Sequence, residues 1–462
     1  MFSRGNLFTF DRLLAALVFL AIALACGLTP MQTDTWWQLR AGRDMWLSRS
    51  VLLTDLYSHT AYGTFWPNHE WLAEVVFYGL FKAGGLPLLT LFAAGLILGG
   101  WTLSWRLATG PVRERFVWIA LALIPSSLWW EPRPHAFSLL FIVTTVFLIA
   151  RRRPWWLPVV FLVWANAHGG VLLGFVLLVA GLGAQTLLSP KMWRQSVLVF
   201  LACVLAATAT PLGLSFWSEI PKSLARIHLY PLDEWRRPRV MDIRLLPFWV
   251  LGAAFLSGLV RNRHRLRRLP PDEAAVYACA LVLLPMAISA IRNVGPFLMI
   301  AAPALTSLVR LRRHSDDAVQ VERPLLNAAV MAIAVAGVVG TLAWAYVNRI
   351  PKLRWAPVPA GALAALRECP DNLYNRYDEG GYLLWFAPDR KVFMDGRQDP
   401  FPPALVLEHI EMETVTGDFR EVFSRHSIRC AYLPTVSPTA AQLTTAGWTT
   451  LYRDAVWVVL RK

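Results

Sequence analysis

Apolar and polar residues in this chain are arranged in long blocks rather than single alternations. Mainly apolar runs fall near 13–30, 87–105, 116–131, 136–150, 155–167, 170–188, 195–211, 245–261, 273–291, 294–311 and 325–347. A helix that spans a bilayer needs about 20 such residues, within a range of roughly 17–25. The pattern predicts about eleven spans, several of them short or broken. Cationic knots separate the runs: Arg4 and Arg12; Arg106, Arg113 and Arg115; Arg151, Arg152 and Arg153; Lys191 and Arg194; Arg261, Arg263, Arg265, Arg267 and Arg268; Arg310, Arg312, Arg313 and Arg323. With eleven spans every knot falls on one side, which the positive-inside rule makes cytoplasmic. The expectation is a multi-pass membrane protein with its N-terminus cytoplasmic and its C-terminal domain on the outer side. The first run exceeds the apolar core of about 7–15 residues found in signal peptides, and no clear cleavage site follows it.

The unusual residues collect in the outer connections. The first, about 31–69, carries Thr33-Asp34-Thr35-Trp36-Trp37-Gln38-Leu39-Arg40. Trp37, Ala41 and Met45 fall at i, i+4 and i+8, which predicts an amphipathic helix lying among headgroups. A short apolar helix, about 70–83, follows His69-Glu70 and ends at Gly84-Gly85. Other outer connections are Glu131-Pro132-Arg133-Pro134-His135, Asn166-Ala167-His168-Gly169-Gly170 and Arg292-Asn293. A longer loop, about 212–244, holds Asp233-Glu234-Trp235-Arg236-Arg237-Pro238-Arg239, a cationic patch that suits an anionic partner such as a lipid phosphate.

The composition changes at about 348, so the chain divides into a transmembrane domain, 1–347, and an extracytoplasmic α/β domain, 348–462. A helix is predicted from Pro359 to Arg367. Strands are predicted at Asn372–Asn375, Lys391–Asp395, Ile428–Leu433, Thr449–Arg453 and Ala455–Leu460, with helices near 402–412, 417–425 and 439–446. Cys369 and Cys430 lie in this oxidising compartment and are candidates to pair. Cys26, Cys203 and Cys279 lie in spans as small packing residues.

Composition narrows the class. Of 462 residues, 56% are hydrophobic and 16% charged, against about 25% charged in an average soluble protein. That charge is too small to coat the two or three soluble domains such a length would form. Five cysteines exclude a disulfide scaffold. The net charge of +15 would hint at nucleic acid in a soluble chain; here it belongs to cytoplasmic loops, and no nucleic-acid partner is expected. No fixed repeat, Walker motif, GxGxxG, zinc spacing or GxSxG elbow occurs.

Ionisable groups at the ends of spans are costly and usually functional. Asp34 is either a carboxylate held at the membrane surface, as general base or metal ligand, or a cap for the helix that follows. Glu70 starts a helix, where the macrodipole favours an acid. Arg133, stiffened by two prolines, suits a phosphate clamp, or it snorkels to the interface. His168 sits in a break between apolar runs, a feature tolerated where backbone is buried or lines a cavity.

At Asp34 and the loop to Glu70 the chain resembles the GT-C fold glycosyltransferases, which include protein O-mannosyltransferases, aminoarabinose transferases of lipid A and catalytic subunits of oligosaccharyltransferases. Over nearly its whole length it is similar to a bacterial family of polytopic membrane proteins. The marks are Asp34 to Gly42, His69 to Glu74, Arg133-Pro134-His135, Trp164 to Gly170, Arg292-Asn293 and Asp395-Gly396-Arg397. The resemblance implies a polyprenyl-phosphate-linked sugar as donor, membrane lipid as partner and Asp34 as base or as ligand of a divalent cation. It makes Asp34 and Glu70 the catalytic candidates and His69, Arg133, His135, Asn166, His168 and Arg292 the substrate-binding ones, with no metal ligand set assigned. Two departures stand out: Thr35 replaces the second acid of mannosyltransferases, and no Trp-Trp-Asp motif follows. A lipid or solute transporter would instead place polar residues at mid-membrane, often in repeated halves. A non-catalytic envelope assembly protein would use Asp378-Glu379-Gly380-Gly381 and Asp395-Gly396-Arg397 as turns of a recognition domain.

Overall fold

The computed structural model describes residues 8–230, 232–266, 268–309, 322–350, 352–369, 371–414 and 417–462. Contacts divide the chain into two compact units. The first contains Met1–Thr29, Pro87–Thr210 and Asp233–Ile350; the second contains Pro30–Leu86, Pro211–Leu232 and Pro351–Lys462.

Helices build the first unit, and they stand where the apolar runs predict. They are Phe10–Leu28, Val112–Ser126, His135–Ala150, Leu157–Ala167, Val171–Leu188, Trp193–Thr208, Leu246–Arg261, Pro271–Ser289, Val294–Leu308 and Pro324–Asn348, joined by the later part of Trp71–Leu107. That long element breaks at Gly84 and Gly85, and Gly85 has a φ of 66° that only glycine adopts at little cost. Among the described residues seven helices are long and apolar enough to cross a membrane, and three shorter apolar ones accompany them. The chain is a polytopic helical membrane protein with a small C-terminal α/β domain.

Bonds between connections show which ends lie together. Arg151 donates to the Arg106 carbonyl, Arg152 and Gln185 reach Asp272, Asn262 reaches the Leu308 carbonyl, and the Thr109 amide binds Thr306. Arg113 lies over the Phe10 ring. The described cationic knots are therefore tied at one end of the helix set; Arg4, Arg267, Arg310, Arg312 and Arg313 lie outside the described residues. Six helices of the first unit separate the first two segments of the second unit, and four separate the last two.

In the second unit, β1 (Asn372–Asn375), β2 (Ile428–Pro434), β3 (Thr449–Arg453) and β4 (Trp457–Arg461) form one sheet in the order β1-β2-β4-β3. β1 and β2 are parallel and the other pairs antiparallel. A parallel pair needs a long crossover, here the helices Tyr377–Phe386, Pro403–Glu413 and Phe419–Arg425. Tyr374, Ala431, Leu433, Val458 and Leu460 pack with Val406 and Phe423 in the core beneath. Cys369 and Cys430 are disulfide-bonded, with Cα atoms 5.9 Å apart.

Three local expectations change. Lys391–Asp395 does not join the sheet: Val392 pairs in parallel with Ser58, exchanging bonds with Tyr57 and His59, because a partner strand from the first loop buries Val392, Phe393 and Met394. Asp378-Glu379-Gly380-Gly381 is no turn but part of the Tyr377–Phe386 helix. The Trp37, Ala41 and Met45 face of the Thr33–Ser48 helix is buried in protein rather than among headgroups, while Trp46 and Leu47 at its end are exposed.

Candidate active site

The candidate residues fall into the two units. In the second, Asp34 occupies the first turn of Thr33–Ser48; the N-cap is Gln32, with no side-chain cap bond, so neither Thr33 nor Asp34 takes that position. Asp34 is half-buried, and its Oδ1 accepts the Trp37 indole N–H at 3.1 Å. Gln38, one turn further on the same face, donates to Glu70 Oε2 at 3.1 Å. Asp34 and Glu70 thus both attach to the opening turns of this helix. Glu70 starts its own helix on the Asn68 side chain, which also donates to the buried Glu74. His69 Nδ1 lies 3.2 Å from the Pro67 carbonyl, so this nitrogen carries the proton, and Nε2 lies 3.9 Å from Glu70 Oε1.

The Asp395-Gly396-Arg397 turn closes on the same residues. An ideal Cβ on Gly396 would lie 2.2 Å from Asp34 Oδ1 and 3.1 Å from the Trp37 indole nitrogen. The Gly396 carbonyl accepts the Tyr377 hydroxyl at 3.0 Å. Arg397 anchors the turn with its side chain fully enclosed, its Nη2 lying 2.7 Å from both Asp55 and Asp395. The rings of Tyr57 and Trp66 flank its guanidinium, each at 4.9 Å. Nearby, burial pushes the Glu379 carboxyl up to about 7, against the opposing pull of Arg376.

In the first unit, Arg133 and Arg292 converge on Glu234. Arg133 Nη1 lies 3.4 Å from one carboxylate oxygen and Arg292 Nη1 2.8 Å from the other. Arg292 also lies over the Trp235 ring at 4.6 Å. Burial opposes the charge on Glu234, but Arg292 and Arg133 outweigh it and hold the carboxyl at about 2. His135 belongs to the same group: its Nε2 donates to the Trp129 carbonyl and lies 3.9 Å from Glu131.

His168 ends the Leu157–Ala167 helix in extended conformation. Trp164 donates to Ser138 Oγ at 2.7 Å, Ser138 Oγ lies 2.7 Å from His168 Nδ1, and the Gly170 amide donates to that same nitrogen at 3.0 Å. With the Trp164 donor on Ser138, the hydroxyl proton goes to Nδ1. That nitrogen is therefore the acceptor, and the ring proton sits on Nε2. Ser138 lies one turn beyond His135 on one helix, which joins the two histidines into one neighbourhood. Asn166 bonds to the Ala209 carbonyl, tying its connection to the next one at this end.

No protein-family model and no curated protein matches the sequence. Solved structures do match. The Archaeoglobus fulgidus oligosaccharyltransferase tethered to an acceptor peptide is 11% identical, with a TM-score of 0.56 over 92% of this chain and 69% of its own. ArnT from Cupriavidus metallidurans bound to undecaprenyl phosphate is 15% identical, with a TM-score of 0.54 over 97% of both chains. The Archaeoglobus fulgidus oligosaccharyltransferase AglB, in complex with an inhibitory peptide and a dolichol-phosphate, is 11% identical with a TM-score of 0.53, over 92% of this chain and 70% of its own.

The chain has the fold of the GT-C membrane glycosyltransferases.

Within this GT-C fold, no group of three or more His, Cys, Asp or Glu among the described residues stands where it could hold a metal ion. Asp34 is a carboxylate oriented by an indole N–H. Sequence reasoning missed Glu234, Gly396, Ser138 and Tyr377 as site members. Glu234 carried a signal, being an acid set among arginines. Gly396 did too, in a motif singled out without a role.

Proposed function

We propose that this chain is a glycosyltransferase that moves a sugar from a polyprenyl-phosphate donor to an acceptor at the outer face of a bacterial inner membrane. The observation that carries this reading is the placement of Asp34: in a GT-C fold matched to ArnT along 97% of both chains, a half-buried carboxylate stands at the first turn after the first span. ArnT binds undecaprenyl phosphate and AglB a dolichol-phosphate, which supports a lipid phosphate as the carrier here. The Cys369–Cys430 bond supports an oxidising, outer location for the second unit.

Asp34 takes the proton of the acceptor hydroxyl. The freed oxygen attacks the anomeric carbon of the donor sugar, the bond from that carbon to the phosphate oxygen breaks, and polyprenyl phosphate departs with the electron pair. Glu70 and His69, in the unit that carries Asp34, bind substrate hydroxyls, while Arg133 and Arg292 of the first unit offer planar donors suited to a lipid phosphate. Asp34→Asn keeps shape and removes the proton acceptor. Purified variant protein should show wild-type thermal stability and a transfer rate lowered about 10²–10⁴-fold when supplied with polyprenyl-phosphate sugar and a membrane extract as acceptor source. A wild-type rate would overturn the reading.

A further inference from the structure

We propose that the Asp395-Gly396-Arg397 turn of the C-terminal domain is a positioning element for Asp34, and that Gly396 is glycine because its backbone serves as the stop against which the carboxylate is set. The proposal rests on the reading of Asp34 as base. Three observations within the second unit carry it.

The first is distance. The backbone of Gly396 approaches so closely that a Cβ would sit 2.2 Å from Asp34 Oδ1, inside its van der Waals radius, and 3.1 Å from the nitrogen that donates to that oxygen. The Asp34 oxygen that accepts the Trp37 N–H is therefore also the one set against the Gly396 backbone. Gly396 is not among the residues with positive φ, so its lack of a side chain answers to space and not to conformation.

The second is anchorage. Arg397, the next residue, is clamped by Asp395 Oδ1 to Nε at 2.8 Å and by Asp395 and Asp55 to Nη2, and its own amide donates to Asp395 Oδ1 at 3.0 Å. Asp55 belongs to the first loop, as Asp34 does. The arginine thus ties the turn to the segment that carries the base. Bidentate geometry fixes both distance and angle.

The third is the support behind the turn. The Tyr377 hydroxyl donates to the Gly396 carbonyl and accepts from the Gln398 side chain at 3.0 Å, and Tyr230 donates to the Gln398 carbonyl at 3.0 Å. A rigid backing of this kind is what separates a positioned group from a merely adjacent one. A displacement of about 1 Å in a catalytic group costs on the order of 10²-fold in rate.

The test is Gly396→Ala. The methyl meets the movable end of Asp34, so the carboxylate shifts and the fold stays. In the transfer assay kcat should fall roughly 10–100-fold with KM for both substrates and the unfolding midpoint unchanged. Combined with Asp34→Asn, Gly396→Ala should add no further loss, because both act through one carboxylate. Tyr377→Phe removes one hydroxyl without adding bulk and should lower kcat severalfold; it decides the matter if Gly396→Ala does not fold. An inactive Asp34→Asn with undiminished kcat in folded Gly396→Ala or Tyr377→Phe, or with full additivity, overturns the positioning role alone. A fully active Asp34→Asn overturns the underlying reading and this proposal with it.

Discussion

Two charged nodes, one in each unit, are built on opposite stoichiometries. Arg397 is one cation between two carboxylates, its side chain wholly enclosed. Glu234 is one carboxylate between two arginines, and the partners keep 19% and 23% of their side-chain surface exposed. The first node is closed, with aromatic rings on its flanks and the Nη1 of Arg397 buried without a hydrogen-bond partner. The second keeps part of its cationic surface within reach of solvent. Enclosure marks a structural anchor, whereas cationic donors that keep access to solvent offer a place for a ligand of opposite sign.

The largest expected effect comes from breaking the closed node. Arg397→Met leaves Asp55 and Asp395 buried without a counter-ion, and losing one partner of a buried pair costs about 3–5 kcal/mol. The unfolding midpoint of the detergent-solubilised protein should drop by roughly 10 °C; a change below 2 or 3 degrees would show that the two nodes do not differ as described. At the open node the effect should appear in binding instead. Arg292→Ala leaves Glu234 with Arg133, so stability should fall by about 1 kcal/mol or less. Affinity for undecaprenyl phosphate should fall about 10–100-fold, the worth of a charge-assisted hydrogen bond. Glu234→Gln removes the resident anion and should tighten that binding by a few-fold in a titration; weaker binding would mean that Glu234 orients the arginines and does not compete for them.

Glu379 gives the smallest effect and separates burial from charge count. It has a single close arginine and is buried, and its carboxyl lies at about 7 against an ordinary 4.5. A carboxyl raised on folding stabilises most when protonated, so its contribution is complete below about pH 4.5 and is lost as pH rises through 7. Thermal midpoints measured from pH 4.5 to 8 should decline across that window, and Glu379→Gln should flatten the decline. Glu234, held at about 2, should act in the opposite sense and only at the acid end of that window, near the ordinary 4.5, with no slope above about pH 6.

Length and apolarity made the helices of the first unit legible, because a bilayer imposes one dimension on every span. The strands at Asn372–Asn375 and Ile428–Leu433 were legible for a different reason: short β-rich runs lay between clear turn signals. What stayed hidden is pairing between distant segments. Val392 has the alternation of a sheet strand, yet its partner is Ser58, more than 300 residues earlier. Gly396 could be flagged as part of a motif, but nothing local says that its backbone meets Asp34. The same holds for Glu234, whose two arginines come from turns remote in sequence, and for Ser138, an ordinary helix residue until Trp164 and His168 are placed around it.

The composition of the second unit also has a consequence in time. Residues 30–86 belong to a body completed only by Pro351–Lys462, so synthesis must continue through roughly 265 further residues before their partner begins to emerge. At about 5–20 residues per second, the first loop waits roughly 15–50 seconds with Trp36, Trp37 and Trp66 uncovered. During that interval the nascent chain is exposed to proteases and to premature association, and truncation before Tyr377 would remove Trp385, Phe386, Val392 and Arg397, which cover the first loop.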